Sequence, residues 1–88
     1  MFMLTEAAGL YLTRVLEDAK APDDTAVRLV QEADALRPTL DQTRAGDTVF
    51  DHDGRHVLLL APEVSQRLLS SRLDVQQTEQ GPRLTIVN

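Results

Sequence analysis

The chain is 88 residues long, with 42% hydrophobic and 26% charged side chains, which is enough aliphatic material to close one core and too little length for a second domain. A net charge of −5 repels phosphate backbones and anionic headgroups, and the only aromatic side chains, Phe2, Tyr11 and Phe50, offer no platform for stacking bases, so neither nucleic acid nor a membrane is an expected partner. The absence of cysteine excludes disulfides, thiolate catalysis and thiolate metal sites.

The amino-terminal apolar run, Met1 to Leu4, stops at Thr5 and Glu6 with no basic residue before it, too short for a secretory segment. The longest later run, Val57 to Ala61, is strand-sized rather than membrane-spanning, and a cytoplasmic protein is expected. Thr5 ahead of Glu6-Ala7-Ala8 reads as an N-cap followed by helix formers, with the acid placed well for the helix dipole. The spacing of Ala8, Tyr11, Leu12, Val15, Leu16 and Ala19 predicts an amphipathic helix over Glu6–Lys20, closed by the turn Ala21-Pro22-Asp23-Asp24. Gly9 weakens that helix, which implies close packing against a neighbour.

The period then changes. Ala26 to Glu32 carries Val27 and Leu29 alternating with Arg28 and predicts a strand. Leu36 to Thr43 reads as a weaker strand that Pro38 confines to an edge or an irregular piece. After Ala45-Gly46-Asp47, the runs Thr48–His52 and Arg55–Leu60 flank Asp53-Gly54, a hairpin signal because both turn positions need positive φ. Pro62 fits a first helical position, with Val64, Leu68 and Leu69 at helical spacing through Ser70. A second hairpin follows, with Leu73 and Val75 in its first strand, a turn at Gly81-Pro82, and Arg83 to Val87 returning. The expected fold is a single α+β domain over residues 1–88, short strands and hairpins with two helices.

At the base of the middle hairpin, strict alternation places Phe50, Val57 and Leu59 on one face and Val49, Leu58 and Leu60 on the other. Apolar residues on both faces mean burial on both sides. The helices have surface for one of them; the second hairpin can supply part of the remaining cover. Self-association, at least a weak homodimer, is therefore expected.

These pieces, in this order, resemble the A-type iron–sulfur carrier family with its HesB-like or IscA-like fold. Leu4-Thr5-Glu6-Ala7-Ala8 is similar to that family's first helix, and Gly46-Asp47-Thr48-Val49-Phe50 with Asp53-Gly54 and Val57 to its middle hairpin. Pro62-Glu63 with Ser65 and Leu69, then Leu73-Asp74, resembles its second helix and following strand, and Ile86-Val87-Asn88 sits where the family's chain approaches its terminal cysteine pair. The resemblance implies a mixed β-sheet or sandwich with two helices and a tendency to self-associate. The family's ligands are one cysteine in a Gly-rich loop after the first long strand and a Cys-x-Cys tail. Glu32-Ala33-Asp34-Ala35-Leu36 stands in place of that loop, and no cysteine follows Asn88 in this chain, so no ligand residue can be carried over.

Among other constellations, Asp51-His52-Asp53 with His56 has the chemistry of a divalent-cation site. In a two-residue hairpin, however, Asp51 faces His56 on one side and His52 faces Arg55 on the other, leaving Asp51 and His56 as the only metal candidates, two ligands at most. Ser65, Ser70 and Ser71 lie in no nucleophile-elbow context, the acidic pairs Glu17-Asp18, Asp23-Asp24 and Glu32 with Asp34 lack a frame to hold them in register, and four dispersed glycines form no phosphate loop. No catalytic residue and no cofactor is expected. The leading expectation is a non-enzymatic relative of the carriers that acts through protein contacts. The alternative is a small cation- or metabolite-binding module using Asp51 and His56 or the acidic segment Glu32 to Asp34.

Overall fold

A computed structural model describes residues 1–88. A short strand β1 (Met3–Leu4) leads into helix α1 (Glu6–Asp18). Thr5 is extended, and its hydroxyl oxygen accepts a hydrogen bond from the Ala8 N–H at 3.1 Å while its O–H donates to Asp74 Oδ1 at 2.9 Å. One side chain thus caps the helix and ties it to the carboxy-terminal hairpin. Ala8, Leu12 and Leu16 form the buried stripe. The helix stops at Asp18, two residues before its expected end, because Lys20 takes a left-handed conformation with φ 54°. The Lys20 N–H then bonds the Glu17 carbonyl and the Ala21 N–H the Leu16 carbonyl, closing the helix without glycine.

The strands form two mixed sheets. A four-stranded sheet contains β2 (Thr25–Glu32), β3 (Ala35–Gln42), β4 (Thr48–His52) and β5 (Arg55–Leu60) in the order β3-β2-β5-β4. Helix α2 (Pro62–Arg67) follows and packs on β2 and β5. The second sheet contains β1, β6 (Arg72–Thr78) and β7 (Gly81–Val87) in the order β1-β6-β7, with β1 parallel to β6. Helix α1 touches β2, β4 and β5 of one sheet and β6 of the other, so the core lies where its stripe meets Val27, Leu29, Leu58 and Leu60 on one side and Leu73 on the other. The expected α+β architecture of hairpins and two helices is what the chain adopts.

Pro38 sits in β3, an edge strand, as its missing donor requires. Asp53 (φ 51°) and Gly54 (φ 81°) make the middle turn. The strand faces above that turn differ from strict alternation. Asp51 pairs with His56 and His52 with Arg55 as expected, but Phe50 pairs with Leu58 and Val49 with Leu59, because the register shifts by one residue between Phe50 and Asp51. The extra residue, Val57, makes a β-bulge, and consecutive Val57 and Leu58 both enter the core. Phe50 therefore shares a face with Leu58, not with Val57 and Leu59, and its ring meets Phe2 edge-on at 5.3 Å. The second hairpin turns at Glu79-Gln80, two residues before the expected Gly81-Pro82. Gly81, at φ 107°, already pairs with Thr78 and begins the returning strand.

The strand order forces one unusual connection. β3 and β4 occupy opposite edges, so the five residues from Thr43 to Asp47 must pass across β2 and β5. Three strand spacings amount to about 14 Å, and the segment covers them with a turn in which the Asp47 N–H bonds the Arg44 carbonyl at 3.1 Å. Gly46 (φ 88°) lets the segment turn where a side chain would crowd the Pro62 ring, 3.3 Å from where a Cβ would stand. On the sheet face that carries Arg28, and with it Leu59, the crossing is tied down by Asp47 on Arg28, and Leu59 has no exposed surface. Both apolar faces of the middle hairpin are thus covered within one chain.

Candidate functional site

The hairpin joining β2 to β3 holds the segment Glu32 to Leu36, which the resemblance in sequence sets against the ligand-bearing loop of the carriers. Eight residue pairs run without interruption from Thr25 with Gln42 to Glu32 with Ala35, leaving a two-residue turn, Ala33-Asp34, with Ala33 at φ 51°. The Gln31 side chain donates to the Ala33 carbonyl at 2.7 Å, and the Glu32 carboxylate meets Arg37 Nε at 3.2 Å. The acidic segment Glu32 to Asp34 is therefore a tight two-residue turn whose first carboxylate meets Arg37 at the surface.

Asp51 and His56 do meet, as the pairing predicts, and His56 Nδ1 contacts Asp51 Oδ1 directly; both side chains are about half exposed. The contact uses each group on the other. His52 points away to the helix side, where its ring packs over Gly9, and Nε2 lies 3.5 Å from Asp53 Oδ2. A Cβ on Gly9 would stand 2.5 Å from the His52 ring, which accounts for a glycine inside α1. Nowhere in the chain do three or more His, Cys, Asp or Glu side chains come together as a metal requires. Ser65 pairs with Thr48 and Ser71 with Asn88, while the histidines pair with aspartates, so no serine–histidine couple forms.

The densest polar constellation centres on Arg28 of β2, which the sequence reading did not single out. Arg28 is 5% exposed. Its Nη1 and Nη2 donate to the two oxygens of Asp47 at 2.8 and 2.6 Å, its Nε to Asp41 at 2.8 Å, and Nη2 also to the Gln42 carbonyl at 3.1 Å. Asp47 further accepts from the Arg44 N–H at 2.7 Å. The bidentate bond to Asp47 is the main reason the Arg28 pKa is driven further above its already high ordinary value, and the same bond holds the Asp47 carboxyl below the usual range. Asp41 is lowered chiefly by the Gln42 N–H and Asp74 by the Val75 N–H. The signal available in the sequence was a single charge inside the apolar run Ala26 to Val30, which can be buried only with partners. This cluster pins the crossing onto the sheet; its donors are consumed internally.

No family model and no curated protein matches the chain. Solved structures do. The chain is similar to IscA crystallised with a [2Fe-2S] cluster (TM-score 0.68, 20% identity, covering 100% of this chain and 85% of that one). It is also similar to Escherichia coli SufA, involved in biosynthesis of iron–sulfur clusters (TM-score 0.66, 22% identity, 99% and 79% covered). A protein from Aquifex aeolicus solved by NMR aligns with TM-score 0.67 and 22% identity over 99% of this chain and 90% of its own. The chain thus has the IscA and SufA fold over its whole length, as the resemblance in sequence implies, and contains no cysteine. Its residues do not fit a cluster: no thiolate is available, and each of the two carboxylate–imidazole pairs supplies only two donors. No helix is long and apolar enough to cross a membrane.

Proposed function

We propose that this protein is a non-enzymatic relative of the A-type carriers, acting in iron–sulfur cluster biogenesis through contacts with other proteins rather than by holding a cluster through cysteines. The observation that carries the reading is the β2–β3 hairpin. The IscA and SufA fold is kept end to end, while the segment that the resemblance sets against the ligand loop is a two-residue turn, Ala33-Asp34. A fold retained without its ligands leaves surface as what it offers to a pathway. Anaerobic incubation with iron(II) and sulfide, followed by desalting and metal and sulfide assay, tests it. No stoichiometric cluster should remain; a stable one overturns the reading.

Self-association belongs to the same proposal. With the middle hairpin covered internally, support for it comes from half-exposed Leu10 and Leu40, the latter on edge strand β3, and from Met3 at 61% exposed. Light scattering across a wide concentration range should report a weak dimer, and a monomer throughout removes this part of the proposal.

A further inference from the structure

The two sheets do not close completely on each other. Beside α1 they leave a cleft of about 340 Å³, within the roughly 300–1,000 Å³ range of small-molecule sites. One wall is Val27 and Leu29 of β2 with Leu36 and Pro38 of β3. The other is Leu73 of β6 with Leu84 and Ile86 of β7, and Tyr11, Leu12 and Val15 of α1 close the back. The cleft is not part of the Arg28 cluster or of the hairpin that carries Asp51 and His56.

Its polar equipment is sparse and one-sided. Arg83 is the only charged residue lining it, and no carboxylate lines it at all. The Arg83 side chain makes no hydrogen bond or ion pair within the chain, although acidic residues outnumber basic ones by 14 to 9. The Tyr11 hydroxyl likewise has no partner in the chain. An apolar chamber with one unpaired cation and one unpaired hydroxyl at its lining is complementary to a molecule with an aliphatic tail and an anionic head.

We infer that this cleft binds a medium-chain aliphatic carboxylate, its tail between the sheets and its head on Arg83, with the Tyr11 hydroxyl as a second donor. The inference does not depend on the function proposed above. Cluster reconstitution and fatty-acid binding are separate measurements, and either can fail alone.

Methyl-labelled protein titrated with decanoate, and in parallel with decylamine, tests it by NMR. Saturable shifts should appear at Val27, Leu36, Leu84 and Ile86, with decanoate bound more tightly than the amine of equal length. Arg83→Gln should weaken decanoate about fivefold to tenfold, as expected for a partly exposed charge-assisted bond, and leave decylamine unchanged or improved. Equal affinity for the acid and the amine, shifts confined to residues outside the cleft, or no saturation overturns the proposal. So do cleft methyl shifts that follow protein concentration and ignore the acid, which would identify a second copy as the occupant. The comparison of acid with amine is made on the unaltered chain, so the test stands even if the variant folds poorly.

Discussion

Removing Asp47 tests the claim that the crossing from β3 to β4 is held by charge. In Asp47→Ala the Arg28 guanidinium keeps Asp41 and the Gln42 carbonyl but loses its bidentate partner, and the Arg44 N–H loses its acceptor. The two side chains are 6% and 2% exposed, so water cannot readily replace what is lost. Breaking one partner out of a buried pair costs about 3–5 kcal/mol, and the bonds that Arg28 retains place the expected cost near 3 kcal/mol. A domain of 88 residues has a total stability of roughly 4–13 kcal/mol, so the variant should fold but melt some 12–24 °C lower. Urea denaturation gives the free energy directly. Arg44→Ala is the internal control: its ion pair to Asp41 is made by a side chain 70% exposed, and its loss should cost less than about 1 kcal/mol. The double variant Arg28→Met with Asp47→Ala removes both charges and should be more stable than the sum of the two single changes predicts. A cost for Asp47→Ala as small as that of Arg44→Ala, or strict additivity in the double variant, would refute the argument.

Acid should act through the same cluster. Asp47 and Asp41 titrate below the ordinary 3.8 in the folded chain, so their ionised forms favour folding; that contribution is present above the unfolded value and is lost as pH falls through the folded ones. The denaturation midpoint should therefore hold above pH ~5 and drop below pH ~4, less steeply in Asp47→Ala. Gly9→Ala, which in an open helix would gain up to about 1 kcal/mol, should instead destabilise by about 1–3 kcal/mol through collision with the His52 ring, and His52→Ala should relieve it. Calorimetric titration with zinc, manganese and iron(II) should give no saturable binding, because Asp51 and His56 supply only two donors. Stoichiometric heat abolished by His56→Ala would instead establish the cation-binding alternative.

What could be read from the residues was whatever is decided within a few positions of itself. The Thr5 cap, the Asp53-Gly54 turn and the edge placement imposed by Pro38 are local chemistry, and each stands where expected. The end of α1 was misjudged because Lys20 occupies a left-handed position that glycine usually marks. The faces of the middle hairpin were misjudged because a bulge at Val57 has no residue signature; it lets two consecutive apolar residues reach one core, a demand set by tertiary packing. The turn at Glu79-Gln80 carries no turn former, and Gly81-Pro82 beside it was the stronger signal. The Arg28 cluster joins residues as far as 19 positions apart, and only the strand order, which sends a short segment across the sheet, brings Asp47 to Arg28.

The four-stranded sheet is two local hairpins, β2–β3 and β4–β5, joined along a single parallel seam of Val27 with Leu58 and Arg28 with Leu59. Each hairpin closes a short loop at little entropic cost, whereas the seam brings together residues about thirty apart and gains from only two register pairs. On loop-closure grounds the hairpins are expected to form ahead of the seam. Arg28 lies on that seam, and its partner Asp47 lies on the strap that joins the two hairpins. The ion pair therefore works as a latch, tying the strap between the two hairpins to the strand at which they join.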